Sequence, residues 1–153
     1  MNQYQDKFLV LFGGAATYLK SIKMRLCLND LYIFDVNQNR WDKINDQPNT
    51  PKSRMGHVSQ IYGSMMLVQG GFSTDTKQTL SDFNLFDLDE KKWINCDIYQ
   101  TNSDGTEVKE STLQRTNHCM QAIYDIDLYE RIFMFSNGRD ENAKNRKMWS
   151  MSK

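Results

Sequence analysis

The sequence predicts an all-β chain assembled from repeated four-stranded antiparallel sheets. Three observations carry that prediction: an internal repeat that needs no gap, strand-length apolar runs ending in paired small residues, and matching polar hairpins that lead into a tryptophan strand. In the repeat, residues 30–41 lie over residues 82–93, 52 positions further on, with Asp30/Asp82, Phe34/Phe86, Asp35/Asp87 and Trp41/Trp93 identical.

Each unit opens on an Arg-x-x-His frame, Arg54 to His57 and Arg115 to His118, which leads into a short apolar stretch. The second strand is a nearly continuous apolar run: Phe8 to Phe12, Met65 to Gln69 and Ile132 to Ser136. Runs of that kind suit strands covered on both faces, so each sheet needs a neighbour. They close on Gly13-Gly14, Gly70-Gly71 and Asn137-Gly138, where the chain is expected to turn beside another backbone and a Cβ would be costly. Asn137 is the mildest departure from glycine, because asparagine also tolerates positive φ. The third strand is the Asp-x-x-x-Phe-Asp segment starting at Asp30 or Asp82. A polar hairpin of equal length in both copies then leads to Trp41 or Trp93. Each tryptophan is expected to wedge between sheets, burying ~150–250 Å².

These frames together resemble the kelch repeat, whose period is about 50 residues. The resemblance extends over almost the whole chain and implies four-stranded antiparallel blades arranged around a central axis, a kelch-type β-propeller. The expected blades are the second to fourth strands of one over about 7–45, a complete one over about 54–96, and the first to third strands of another over about 115–153. That is about half of a six-blade ring of ~50-residue repeats. The chain is therefore expected to be an incomplete propeller, most simply a fragment of a longer protein, whose ring is completed by further sequence or another chain.

Composition removes several classes of function. The 19 basic residues balance 19 acidic ones, which leaves no electrostatic case for nucleic acid. No apolar run reaches the ~20 residues of a membrane helix. Residues 8–16 lack the basic leader and cleavage site of a secretory signal. Cys27, Cys96 and Cys119 are odd in number and fit neither a disulfide frame nor a zinc spacing, so a cytoplasmic setting is expected.

His57 and His118 recur at one repeat position, which argues for a structural role repeated in each blade rather than a general base or metal ligand. His118 and Cys119, as strand neighbours, point to opposite faces and make no nucleophilic pair. The glycine pairs follow no phosphate-loop spacing. No catalytic residue, metal or cofactor is therefore expected.

Long loops on a rigid scaffold are where binding resides. The connection from Ala15 to Leu28 carries Lys20, Lys23 and Arg25, and that over 94–114 carries Asp97, Asp104, Glu107 and Glu110; alternation of strand direction puts both on one face. Together they are expected to form a mixed-charge rim that captures a protein. The resemblance implies a scaffold or adaptor role, with cytoskeletal proteins or ubiquitin-ligase substrates as partners. The alternatives are a structural subunit of a cytoskeletal or ciliary assembly and, against the absence of a ligand cluster, a copper-oxidase type of propeller.

Overall fold

In the computed structural model the described residues are 1–21, 23–94, 100–101, 107–108, 114–125, 130–139 and 149–152, and all regular structure among them is strand. The strands are β1 (Asn2–Tyr4), β2 (Phe8–Leu19), β3 (Met24–Asp35), β4 (Arg40–Ile44), β5 (Val58–Tyr62), β6 (Met65–Gln69), β7 (Phe72–Ser73), β8 (Gln78–Thr79), β9 (Phe83–Asp87), β10 (Lys92–Ile94), β11 (Gln100–Thr101), β12 (Glu107–Val108), β13 (Thr116–Asp125), β14 (Glu130–Arg139) and β15 (Trp149–Ser152). They form three antiparallel blade sheets, β1-β2-β3-β4, β10-β9-β6-β5 and β13-β14-β15, with the small hairpin β7-β8 inserted between β6 and β9 and the small hairpin β11-β12 between β10 and β13 in sequence. None of the sheets closes on itself, so the architecture is that of kelch blades in an incomplete ring. The first strands of neighbouring blades meet, β1 against β5 and β5 against β13.

The first blade has four strands, not the expected three. Asn2–Tyr4 turns back through Gln5 and Asp6, both at positive φ, and pairs with Phe8–Val10. A three-residue polar strand behind a turn without glycine offers little to read. The hairpins after the third strands follow one design. Asp35 Oδ1 accepts the N–H groups of Asn37 and Gln38, and Asp87 Oδ1 accepts those of Asp89 and Glu90. Asn39 and Lys91 close the two turns at positive φ.

The core lies between the first two blades. One face of the first blade contributes Val10, Phe12, Leu31 and Ile33; the facing side of the second contributes Met66, Val68, Phe86 and Trp93. Trp93 makes edge contacts with Phe12 and Phe86, each at 5.0 Å, and so acts as the expected wedge. Gln47 secures it from the preceding connection: its Nε2 donates to the Lys91 carbonyl at 2.7 Å and its Oε1 accepts the Trp93 N–H at 2.9 Å.

Trp41 departs from expectation. Strand register makes Leu9, Leu11, Phe34 and Trp41 the counterparts of Met66, Val68, Phe86 and Trp93. The second-blade set is at most 5% exposed, whereas Leu11 is 37% and Trp41 48% exposed. Trp41 packs on Phe34 of its own blade at 4.9 Å, and among the described residues no other blade covers that face. Identity within the repeat fixes which way a side chain points; what lies against it depends on the neighbour.

Candidate interaction surface

The connection from Ala15 to Leu28, expected as a loop, is a projecting hairpin. Strands β2 and β3 continue past the glycine pair to Leu19 and from Met24, pairing Ala15 with Cys27, Tyr18 with Arg25 and Leu19 with Met24. Gly13 and Gly14 take positive φ and the register shifts between Phe12 and Gly14. The pair therefore bends the strand as a bulge instead of ending it. The second copy does the same on a smaller scale, with β7-β8 beyond Gly70-Gly71.

The base of this arm is clamped by the second blade. The Arg54 backbone enters between the two strands: the Gly14 N–H donates to the Arg54 carbonyl at 2.8 Å, and the Arg54 N–H donates to the Leu28 carbonyl at 2.9 Å. Arg115 does the same one blade later, accepting from Gly71 at 2.7 Å and donating to Leu80 at 3.3 Å. The Arg54 side chain is fully buried. Its guanidinium grips both Asp82 carboxylate oxygens, at 2.8 and 2.7 Å, and donates to the Gly70 and Lys52 carbonyls at 3.0 Å. Burial pushes the Asp82 carboxyl up, but the hydrogen bonds and charge of Arg54 outweigh it and hold the group below its ordinary value. Asp30, the counterpart of Asp82, instead pairs with Lys43 at 2.5 Å.

The recurrent histidines explain the glycines. A Cβ on Gly13 would stand 3.1 Å from the His57 Cε1, and one on Gly70 the same distance from the His118 Cε1, so the first glycine of each pair receives the next blade's imidazole. A Cβ on the second glycine, Gly71 or Gly138, would stand only 2.9 or 2.6 Å from the Cβ of its own blade's histidine, His57 or His118. Burial, reinforced by the Arg54 and Arg115 charges, pulls His57 and His118 down to about 4. Both are neutral at pH 7.

Since the unfolded imidazoles titrate near 6.5, the unfolded chain binds more protons between pH 6.5 and pH 4. The contribution is complete above pH 6.5 and is lost as the pH falls towards 4, on the order of 1–3 kcal/mol per histidine. Thermal melts should therefore drop between pH 7.5 and pH 4.5. A flat profile would contradict neutral, buried imidazoles.

Lys20 and Lys23 are exposed in the arm's turn, and Arg25 is exposed in β3. The structure thus places all three at the outer end of one arm. Directly opposed residues share a face, so Tyr18 and Arg25 lie on one side and Leu19 and Met24 on the other, with Leu26 two positions from Met24. Tyr18, Leu19 and Leu26 are 48%, 38% and 39% exposed. Sequence reasoning missed these apolar members because it stopped the strand at Gly14; the alternating Met24, Leu26 and Leu28 were the available signal. Of the acidic half of the expected rim, Asp97, Asp104 and Glu110 lie outside the described residues, and only the backbone of Glu107 is described, in β12.

Among the described residues no group of three or more His, Cys, Asp or Glu is placed to hold a metal ion, and no helix is long and apolar enough to cross a membrane. Cys27 is buried at the arm's base, its N–H donating to Thr74 Oγ1 at 3.0 Å and its thiol to the Phe72 carbonyl at 3.2 Å. Cys119 is exposed while His118 is buried, in line with their opposite directions on β13.

Residues 1–152 match the family described as the KLHDC2/KLHL20/DRC7 Kelch-repeats domain. The chain is also similar to three longer proteins. It is 30% identical over 126 residues to Protein ral2 of Schizosaccharomyces pombe, a match covering 76% of this chain and 20% of that protein. It is 35% identical over 72 residues to Dynein heavy chain-like protein 2 of Plasmodium falciparum, covering 47% and 1%. It is 29% identical over 86 residues to Rho GTPase-activating protein gacHH of Dictyostelium discoideum, covering 56% and 5%. Each match takes in a small part of the longer protein.

Proposed function

The chain belongs to the kelch-repeat family, whose domains generally mediate protein–protein interaction and are typically non-enzymatic, and from that premise we propose that it is a scaffold or adaptor module. It captures a protein partner through the face that carries the arm formed by β2 and β3. The observation that carries this reading is the arm itself: a two-stranded projection clamped at its base by Arg54 and bearing Lys20, Lys23, Arg25 and exposed apolar side chains at its outer end. The buried, neutral histidines sit against glycines, which supports a structural role for them and a non-enzymatic module. The partners in view are cytoskeletal proteins or ubiquitin-ligase substrates, in the cytoplasm, a setting in keeping with the unpaired Cys27 and Cys119.

A second reading, a structural subunit of a cytoskeletal or ciliary assembly, draws on the face of the first blade around Leu11 and Trp41, which no described residue of another blade covers. Its counterpart in the second blade is sealed by a neighbouring sheet, so a further blade, from more sequence or another chain, is the natural cover. The partial similarity to a protein named as dynein heavy chain-like points the same way.

Affinity capture with the intact chain and with the K20E/K23E/R25E variant tests the first reading. Proteins enriched by the intact chain should be lost with the reversed arm, while the melting temperature stays within a few degrees, because exposed charges contribute only ~0–1 kcal/mol each. An intact chain that enriches nothing beyond a heat-unfolded control would defeat the interaction reading.

A further inference from the structure

We propose that the arm binds an extended peptide segment with alternating acidic and apolar side chains, which adds as a strand along the outer edge of β2 between Ala15 and Leu19. This deepens the interaction reading above and rests on it. Three observations carry it. The first is the open edge. β2 pairs with β1 only over Phe8–Val10, so from Ala15 to Leu19 its strand partner among the described residues is β3 alone. The β3 side is already approached by the second blade, through the Cys27 N–H bonded to Thr74, which leaves β2 as the side where a strand can add. An unpaired row of N–H and C=O groups is a template for such pairing.

The second observation is charge. From Lys7 to Asn29 the sequence contains no Asp or Glu, and the arm's outer end carries Lys20, Lys23 and Arg25. The third is facial segregation: Tyr18 and Arg25 share one side, whereas Leu19, Met24 and Leu26 share the other. Side chains of an added strand alternate between those two faces. Every second residue of the peptide would therefore meet the cationic, aromatic side, and the residues between would meet the leucine side. An alternating acidic and apolar peptide fits both at once, while a uniformly acidic or uniformly apolar one fits only one.

The test is fluorescence anisotropy with a labelled peptide of alternating Glu and Val. Binding to the intact chain should be about tenfold or more tighter than that of the Lys and Val analogue, because Lys20, Lys23 and Arg25 attract the one and repel the other. It should weaken by a similar factor when alternate peptide nitrogens are methylated, which removes the ladder donors. The K20E/K23E/R25E variant should bind it at least as poorly as the intact chain binds the Lys and Val analogue. No binding up to millimolar peptide, unchanged binding on methylation, or unchanged binding to the reversed arm would each overturn the proposal, the last two by leaving charge or edge pairing without effect. If the charges serve only to guard the edge, the reversed variant will bind no less of the peptide. Capture of a protein partner that is lost with the reversed arm, together with no binding of the peptide, would leave the interaction reading standing and remove this one.

Discussion

Replacing Asp82 by alanine is expected to destabilise the chain by about 3 kcal/mol, although the carboxylate is itself partly exposed. The cost arises on the other side of the pair. Arg54 is fully buried, and two of its bonds end on Asp82. Without that carboxylate the guanidinium keeps the Gly70 and Lys52 carbonyls, but its charge is left in the interior with no counterion. D82N, which keeps an acceptor, should cost about half as much, since a neutral partner forms the weaker kind of hydrogen bond. Urea denaturation gives both values. A loss below about 1 kcal/mol for D82A, the range of an ordinary surface pair, would mean that Arg54 is not held by this contact. The effect should also reach the arm, because the Arg54 backbone bonds to Gly14 and Leu28 at the arm's base.

Gly70→Ala is expected to cost more, about 3–5 kcal/mol. Its φ is +66°, so alanine pays the left-handed penalty of about 1–2 kcal/mol. The new Cβ would also stand 2.6 Å from the Arg115 carbonyl oxygen and 3.1 Å from the His118 imidazole, so the third blade would have to move back. Gly63→Ala separates the two contributions. Gly63 has φ +57° and nothing within 4 Å of its would-be Cβ, so only the backbone penalty of about 1–2 kcal/mol applies. Equal losses at the two positions would show that the approach of the third blade is not what requires glycine at 70.

Much of this arrangement was legible in the sequence because the repeat acts on register. Asp30/Asp82, Phe34/Phe86 and Trp41/Trp93 fall at matching positions in two sheets, and the Arg-x-x-His frames mark the strands that bring successive blades together. What escaped depends on neighbours and backbone. A glycine pair after an apolar run reads as the end of a strand, but positive φ at both Gly13 and Gly14 makes a bulge, so the sequence predicts a loop where the structure has an arm with exposed Tyr18, Leu19 and Leu26. Trp41 matches Trp93 in sequence yet is half exposed, because burial is a property of the facing blade. The Arg54 clamp works largely through main-chain groups, which no residue type announces; only the recurrence of arginine at 115 pointed to it.

The blades are latched at the arginine segments, and the latch holds the arm out as a rigid element. Residue-resolved amide hydrogen exchange at neutral pH tests it directly. Slow exchange is expected at the Gly14, Arg54 and Gly71 amides, each bonded across a blade boundary, and at the core strands β6 and β9, with fast exchange at Ser21 in the arm's turn. Exchange at Gly14 and Arg54 as fast as at Ser21, alongside protected core strands, would contradict it: the blades would then fold while the arm swung free of its clamp.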